Sequence, residues 1–337
     1  MNVAATEQGS GVMAAHLIEH FHGILLSLAR SAAWLAILVA IFVPAERMFA
    51  LHPQRILRKE VAVDVAYYFL NGLVIALLLG IPVVVVALAL RHLIPGVIIA
   101  TIAAWPLWLR ACVAMVVGEI GYYWGHRLTH EIPLLWRFHA VHHSVEELDF
   151  LVSSRGHPVD VVFSRMCMMT PLVALGLVNM VHSSDGLIPL MVMMFGMIWG
   201  FFIHANVRWR LGPLEWLVAT PGFHHWHHTL GGKRRDCNYS TMFPWLDRLF
   251  GTHYLPNEWP ERYGIDSPMP RSLIGQFIRP FEPARGTPSG ISAAAPAPVP
   301  TAPSGQAAGA PAGPPVSQVS SWGRWAPRSR ATMNRVD

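Results

Sequence analysis

Long apolar segments constrain the fold of this chain more than any other feature. A helix of about 20 apolar residues crosses the hydrocarbon core of a bilayer, which is about 30 Å thick. Such runs cover residues 24–43, 61–90 and 105–124, and residues 161–203 are long enough for two passes. Only 13% of the residues are charged, against about 25% in soluble domains. We therefore predict an all-α integral membrane bundle with about four or five spans, and exclude an ordinary cytosolic enzyme and a disordered chain.

The distribution of basic residues predicts which side of the membrane each loop occupies. The loop after the first run contains Arg47, Arg55, Arg58 and Lys59, whereas the loop after the second run has only Arg91. The segment after residue 203 is again basic, with Arg208, Arg210, Lys233, Arg234, Arg235 and Arg248. Both basic regions are predicted on the cytoplasmic side, which in a bacterium means the inner membrane. These basic residues form no stripe, so the net charge of +5 does not indicate a nucleic-acid partner.

Composition divides the chain into three regions. Residues 1–23 form an N-terminal segment without the basic start of a cleaved signal peptide. Residues 24–280 form the predicted membrane-embedded catalytic domain, in which residues 96–104 have no clear assignment. Residues 281–337 are rich in Ala, Pro and Gly and are predicted to be a disordered tail. The three cysteines lie far apart and predict neither a zinc knuckle nor a disulfide framework.

Histidines are spaced at helical intervals in three motifs. His126 and His130 form HxxxH, which places both side chains on one helix face. His139, His142 and His143 form HxxHH, and His224, His227 and His228 repeat HxxHH. Residues 182–186 (HSSDG) predict a turn between the two passes of block 161–203. Because a two-pass hairpin returns the chain to the side that it left, we expect the three motifs to meet in a helical cap at the cytoplasmic membrane surface.

The number of histidines predicts the kind of site. Neutral imidazole is a suitable ligand for iron, copper and zinc. One metal ion takes four to six ligands, so eight or more converging histidines would bind a pair of ions. Without thiolates or a dense set of carboxylates, the best candidate is a di-iron centre, which can use O2 to attack an unactivated C–H bond. A solvated histidine-rich surface is the alternative, but such a surface would not repeat one helical register.

Four segments carry a resemblance to a known family. They are residues 121–131 (GYYWGHRLTHE), 136–144 (WRFHAVHHS), 202–206 (FIHAN) and 220–228 (TPGFHHWHH). In order, spacing and neighbouring residues they resemble the fatty acid hydroxylase / sterol desaturase superfamily, in particular the branch of alkylglycerol monooxygenase-like and bacterial sterol desaturase-like proteins. The resemblance covers about residues 110–255.

The resemblance implies a di-iron enzyme that uses O2 to hydroxylate or desaturate lipids. The implied metal ligands are His126, His130, His139, His142, His143, His224, His227 and His228, with His157 and His204 completing the set. His225 is the odd member of its motif and is not expected to be a ligand.

Two glutamates near the first motif are candidates for supporting the ligands. Glu119 lies near the membrane, where an ionisable group is costly and usually functional. We expect it to hydrogen-bond a ligand imidazole, the alternative being a structural pair with Arg127 or Arg137. Glu131 could act in the same way, although exposed helix carboxylates are more common.

The predicted function is therefore O2-dependent oxidation of a lipid that enters from the bilayer. Sterol, hopanoid, fatty acyl, ether-lipid and carotenoid substrates are all compatible with the sequence. The sequence does not distinguish hydroxylation from desaturation. The chain has no GxGxxG motif after a strand and no iron–sulfur cysteine set, so an external donor of the cytochrome b5, ferredoxin or pterin type is expected. The alternatives are a metal ion transporter with histidine-rich cytoplasmic motifs and a family member that binds lipid without turnover.

Overall fold

The structure is a computed structural model that describes residues 3–178, 187–231 and 236–283. Over these residues the chain is helical and has no strand, only the isolated bridges Ala50–Val207 and Thr229–Tyr263. The predicted all-α class is thus confirmed. The predicted turn at 182–186, the basic residues 233–235 and the predicted tail from residue 284 onward lie outside the described residues.

Eleven α-helices are described. In chain order they are α1 Val3–Met48, α2 Val61–Leu78, α3 Gly80–Arg91, α4 Gly96–Ala103, α5 Leu107–Glu131, α6 Pro133–His143, α7 Pro158–Ala174, α8 Leu187–His204, α9 Pro221–His227, α10 Trp245–Leu249 and α11 Leu273–Ile278. Short 3-10 helices at Phe150–Ser154 and Gly212–Trp216 lie in the connections before α7 and α9.

Helix α1 contains the clearest candidate for a membrane span. Its segment Phe21–Met48 has 28 residues and is mostly exposed, with Phe21 and Ile41 more than half accessible. It includes the first run predicted from the sequence. Among the described helices it is the one that is long and apolar enough to cross a bilayer by itself.

The second predicted run is not one continuous helix. It breaks between α2 and α3, where Gly80 begins the new helix and Pro82 lies in its first turn. Proline removes a backbone donor and clashes with the preceding turn, so this sequence starts a helix more easily than it continues one. Helix α4 covers nearly all of residues 96–104, to which the sequence gives no clear assignment. Helices α3 and α4 are bent by 120° relative to each other, and they qualify as a candidate membrane span only when they are taken together. The apolar stretches Val61–Leu73 and Met194–His204 are shorter, so the count of four or five spans remains a prediction.

Glycines allow α5 and α7 to approach closely. Gly121 lies against the backbone of Cys167, and a Cβ built on Gly125 would lie 2.8 Å from the Cys167 Cβ. Any larger side chain at these positions would push the helices apart. Because His126 and His130 lie in the last turns of α5, this contact sets the position of the first histidine motif relative to α7.

The ends of four helices meet beside an apolar cluster. Leu38 and Phe42 of α1 pack with Phe150 of the 3-10 helix and Phe201 of α8, and Phe42 and Phe150 stack with ring centroids 5.3 Å apart. This cluster places the last turn of α8 next to the connection between α6 and α7. The histidine-bearing ends of α5, α6, α8 and α9 come together in the same region.

Candidate metal centre

The local sequence explains how each histidine is presented. Proline occupies the first turn of α6, and α9 starts with Thr220, whose Oγ1 accepts a hydrogen bond from the Phe223 amide 3.3 Å away, followed by Pro221. Both are ordinary signals for a helix start. Both helices are short, so the HxxHH motifs fall in their last turns. His204 is the final residue of α8.

Nine of the ten histidines predicted as ligands converge in two groups. Within each group, one nitrogen per ring lies within 4.8 Å of all the others. The first group is His126, His130, His139, His143 and His227. The second group is His142, His204, His224 and His228. The groups are adjacent, because the rings of His143 and His228 stack with centroids 4.4 Å apart.

Each HxxHH motif is divided between the two groups. In the first motif, His139 and His143 belong to the first group, whereas His142 belongs to the second. In the repeat the assignment is reversed, since His224 and His228 join the second group and His227 joins the first. Residues four apart on a helix share a face, while neighbours point about 100° apart. Each motif therefore reaches both groups from a single helix turn.

The ring nitrogens within a group face one another in a way that hydrogen bonding cannot explain. His126 Nδ1 is 2.7 Å from the Tyr239 carbonyl oxygen, and His139 Nδ1 is 3.0 Å from the Asp160 carboxylate. These oxygens accept hydrogen bonds, so both Nδ1 atoms carry a proton, which in a neutral ring leaves the lone pair on Nε2. Yet the two Nε2 atoms are 3.1 Å apart.

The second group repeats this arrangement. His142 Nδ1 donates to the Arg155 carbonyl at 2.8 Å, and His204 Nδ1 donates to the Gly200 carbonyl at 2.7 Å. Their Nε2 lone pairs are 3.2 Å apart. His224 Nε2 lies 3.0 Å from His204 Nε2. Converging lone pairs repel one another unless a cation lies between them.

The spacing of these nitrogens fits metal coordination. Imidazole nitrogens bind first-row divalent metals at about 2.1 Å, so adjacent ligands of one ion lie about 3 Å apart. The observed separations of 3.0–3.2 Å agree with this value. His227 adds a buried Nε2 that has no hydrogen-bond partner. The residues therefore fit a pair of bound metal ions.

Burial keeps five of these imidazoles in the neutral form that binds metal. Desolvation lowers the pKa of His142 to about 4 and that of His227 to about 3. It also holds the pKa values of His126, His143 and His228 well below 6.5, with neighbouring histidines adding to the effect. Neutral rings with free lone pairs are available at pH 7 without competition from protons.

A loop at residues 237–242 orients two ligands of the first group. His227 Nδ1 donates to the Cys237 carbonyl at 2.8 Å, and Tyr239 supplies the carbonyl for His126. Asn238 between them is fully buried and has a φ of 57°. Its side-chain amide donates to the carbonyls of Phe223 and Tyr254, which stabilises a backbone conformation that few residues other than glycine adopt.

Two buried carboxylates anchor this loop. Asp247 accepts hydrogen bonds from the backbone amides of Tyr239 and Ser240 at 2.7 and 3.0 Å. Glu119 accepts from the amides of Thr241 and Met242, both at 2.6 Å. The loop is thereby tied to α5 on one side and to α10 on the other.

Glu119 therefore differs from the prediction. Its carboxylate does not bond a ligand imidazole, and it pairs with neither Arg127 nor Arg137. Its Oε1 is instead occupied by two backbone amides of the irregular loop. Glu131 pairs with Arg127 at 2.7 Å, is 48% exposed, and makes no contact with an imidazole among the described hydrogen bonds.

His157 is the predicted ligand that the structure does not bring to either group. It is the N-cap residue of α7, and its Nδ1 accepts a hydrogen bond from the Val159 amide at 3.2 Å. Its ring packs against Phe138, Phe277 and Phe281. His225 also lies outside both groups, as expected, with its Nδ1 2.9 Å from the Tyr263 hydroxyl and its Nε2 donating to the Ala205 carbonyl at 3.1 Å.

The sequence reasoning missed the groups that support the ligands. Asp160 lies three residues after His157 and contacts His139, and the only available signal was an acidic residue in the first turn of α7. Arg155 supplies the carbonyl for His142 while its guanidinium forms buried ion pairs with Asp64 and Glu60. Asp64 in turn pairs with Arg58 at 2.5 Å. This network links the start of α2 to the second group.

Comparison with known proteins agrees with this site. Residues 111–252, which include every histidine of the two groups, match the family model of the fatty acid hydroxylases. The similarity to a fatty acid hydroxylase domain covers this part of the chain, which is less than half of its 337 residues. The resemblance recognised in the histidine motifs is therefore confirmed.

Three relatives illustrate the range of the similarity. The chain is 33% identical over 178 residues to ornithine lipid hydroxylase OlsE of Rhizobium tropici, which covers 52% of each protein. It is 34% identical over 169 residues to alkylglycerol monooxygenase of Danio rerio, covering 50% of this chain and 34% of that enzyme. It is 29% identical over 148 residues to Delta(7)-sterol-C5(6)-desaturase of Nicotiana tabacum, covering 43% and 49%. The chain thus spans about half the length of these relatives or less, and no solved structure matches it.

Proposed function

We propose that the protein is an O2-dependent di-iron oxidoreductase that hydroxylates or desaturates a membrane lipid. The observation that carries this proposal is the convergence of nine imidazoles in two adjacent groups, with ring nitrogens facing one another at 3.0–3.2 Å. Two adjacent ions, rather than one, match two groups of five and four ligands. The family match supports iron as the metal.

The protein's own residues would hold and insulate the metal pair. Bound iron supplies the activation of O2 and the attack on an unactivated C–H bond. Carbonyls and the Asp160 carboxylate keep the proton of each supported ring on Nδ1, so that Nε2 stays available to the metal. His126, His143, His227 and His228 are at most 2% exposed, which excludes bulk water from the ligand rings.

The relatives and the fold support a membrane lipid as the substrate. The names of the three relatives refer to an ornithine lipid, an alkylglycerol and a sterol. The long apolar segment Phe21–Met48 would keep the site at a membrane, where such molecules reside. We propose that the metal site faces the cytoplasm, as the basic loops predict, and that a separate cytochrome b5, ferredoxin or pterin-type donor supplies the electrons.

The test uses one ligand from each group. His142→Ala and His227→Ala are compared with His253→Gln, which changes a histidine outside both groups. Metal content of the purified protein is measured by mass spectrometry, and lipids of cells with and without each variant are compared. We expect both ligand variants to lose metal and product, and the control to retain both. Product formation with unchanged metal content in either ligand variant would contradict the proposal.

Metal-dependent uptake into vesicles without reductant or O2 would instead support a transporter.

A further inference from the structure

A cavity separate from the histidine groups lies where α1 leaves the predicted membrane. It has a volume of about 530 Å³ and is lined mainly by apolar atoms, which is within the range of about 300–1,000 Å³ for small-molecule sites. Leu35, Val39 and Val43 of α1 form one wall, and Val61 and Val65 of α2 form another. None of the nine histidines of the two groups lines it.

The part of α1 that lines the cavity is comparable in length to one leaflet of a bilayer. Residues Leu35 to Val43 span about 12 Å along the α1 axis, and Arg47 lies about 6 Å further on. Half of a hydrocarbon core is about 15 Å thick. The apolar wall would therefore lie at the depth of an acyl chain, and the polar end of the cavity at the depth of a lipid headgroup.

The polar end of the cavity carries two available cations. Arg47 and Arg55 both line it and are both exposed. Arg47 makes one 3.3 Å hydrogen bond to the Gln54 carbonyl, and Arg55 has no ion-pair partner within the part of the chain that the structure describes. Guanidinium groups bind phosphate oxygens in a planar, two-point geometry.

The two acidic residues that also line the cavity do not oppose this charge. Asp149 is already paired with Arg58, at 2.6 and 2.8 Å. Glu46 accepts hydrogen bonds from the amides of Phe150 and Asn206 at 2.8 and 2.9 Å. With both carboxylates engaged, the rim is positive, whereas the interior is apolar.

We propose that this cavity binds one anionic phospholipid, with an acyl chain between α1 and α2 and its phosphate on Arg47 and Arg55. The lipid is a resident one and not the molecule that is oxidised, because none of the nine histidines of the two groups lines the cavity. The site does not depend on the proposed catalytic function, since its occupancy requires neither metal nor O2.

The test measures lipid retention on the full chain in mild detergent. Phosphatidylglycerol and phosphatidylcholine with the same acyl chains are added in equal amounts, and bound lipid is counted by native mass spectrometry. Near a membrane surface each arginine contributes enough to anionic-lipid binding that losing two lowers the affinity about 30-fold. We therefore expect wild type to retain phosphatidylglycerol preferentially, and Arg47→Gln/Arg55→Gln to lose about that factor. Equal retention of the two lipids by wild type would overturn the proposal.

Matched variants separate this site from general effects. Arg30→Gln/Lys59→Gln removes the same charge at exposed positions that do not line the cavity, and should retain the lipid. Val39→Trp fills the cavity and should release both lipids, whereas Ile41→Trp, on an exposed position outside the cavity, should not. Loss of the preference in the Arg30/Lys59 control, or retention in Val39→Trp, would refute the site. Metal content is measured in parallel and should be unchanged in all variants.

Discussion

The hydrogen bond between Asp160 and His139 offers a graded test of how the first histidine group is supported. The pair is buried, with the two side chains 7% and 4% exposed, and the Nδ1–Oδ2 distance is 3.0 Å. A hydrogen bond to a charged group contributes about 1.5–3 kcal/mol, and a neutral one about 0.5–1.5 kcal/mol. Asp160→Asn keeps an acceptor and removes the charge, whereas Asp160→Ala removes both.

These differences convert directly into metal affinity, because each 1.4 kcal/mol corresponds to about a tenfold change. We expect the first group to bind its metal about tenfold more weakly in Asp160→Asn and about 100-fold more weakly in Asp160→Ala, within the range known for residues that support metal ligands. The second group, whose His142 is oriented by a backbone carbonyl, should keep its metal in both variants.

The assay is metal content per chain after dialysis against a series of chelator concentrations. Glu147→Gln is the control, because Glu147 is an exposed carboxylate on the connection that precedes α7 and should behave as wild type. The reasoning is refuted if Asp160→Ala retains metal against chelator as well as wild type does. It is also refuted if Glu147→Gln loses as much metal as the Asp160 variants.

Three further predictions follow from the structure. Glu119→Leu leaves two buried amides without an acceptor and should lower the free energy of unfolding by about 3 kcal/mol, whereas Glu119→Gln should cost less than about 1 kcal/mol; equal denaturation midpoints for the two would contradict this. His157→Asn keeps the cap of α7 and should leave the metal content unchanged in elemental analysis, so that loss of an ion would mean that His157 is a ligand. Burial lowers the pKa of His225 to about 3, below the value near 6.5 of an exposed histidine, so the unfolded chain binds the extra proton first as the pH falls. The free energy of unfolding should therefore decline below about pH 6.5, by up to about 1.4 kcal/mol per pH unit for this residue. The free energy of unfolding of His225→Gln, measured over the same pH range, should fall less steeply than that of wild type.

Much of the local structure was predictable because helices have a regular period. The spacing in HxxxH and HxxHH predicted helices with the histidines on defined faces, and α5, α6 and α9 carry them. The break at residue 80 does not follow from apolarity, which continues through it, although Gly80 and Pro82 mark the position in the sequence. Hydrophobic content sets where a chain can be buried, but backbone donors decide whether a helix continues.

Supporting interactions were less predictable than ligands. The carbonyls of Cys237, Tyr239 and Arg155 orient three histidines, and a backbone carbonyl has no sequence signature because every residue has one. Glu119 is conspicuous in the sequence as an ionisable group in an apolar helix, but its carboxylate contacts a loop more than 120 residues away. No periodicity links such distant segments.

The amino-acid sequence by itself determined that this chain is helical, that it is too apolar for an ordinary soluble enzyme, and that its histidines lie at one-turn intervals; these properties depend on composition and on the 3.6-residue period of a single helix. The tertiary structure alone decided that His142 and His143, adjacent in the chain, belong to different groups, that His227 crosses over to join the first group, and that His157 caps a helix instead of joining either. The physical reason is that a metal site requires several lone pairs to point at one position in space, and that direction depends on how helices from distant parts of the chain pack against one another.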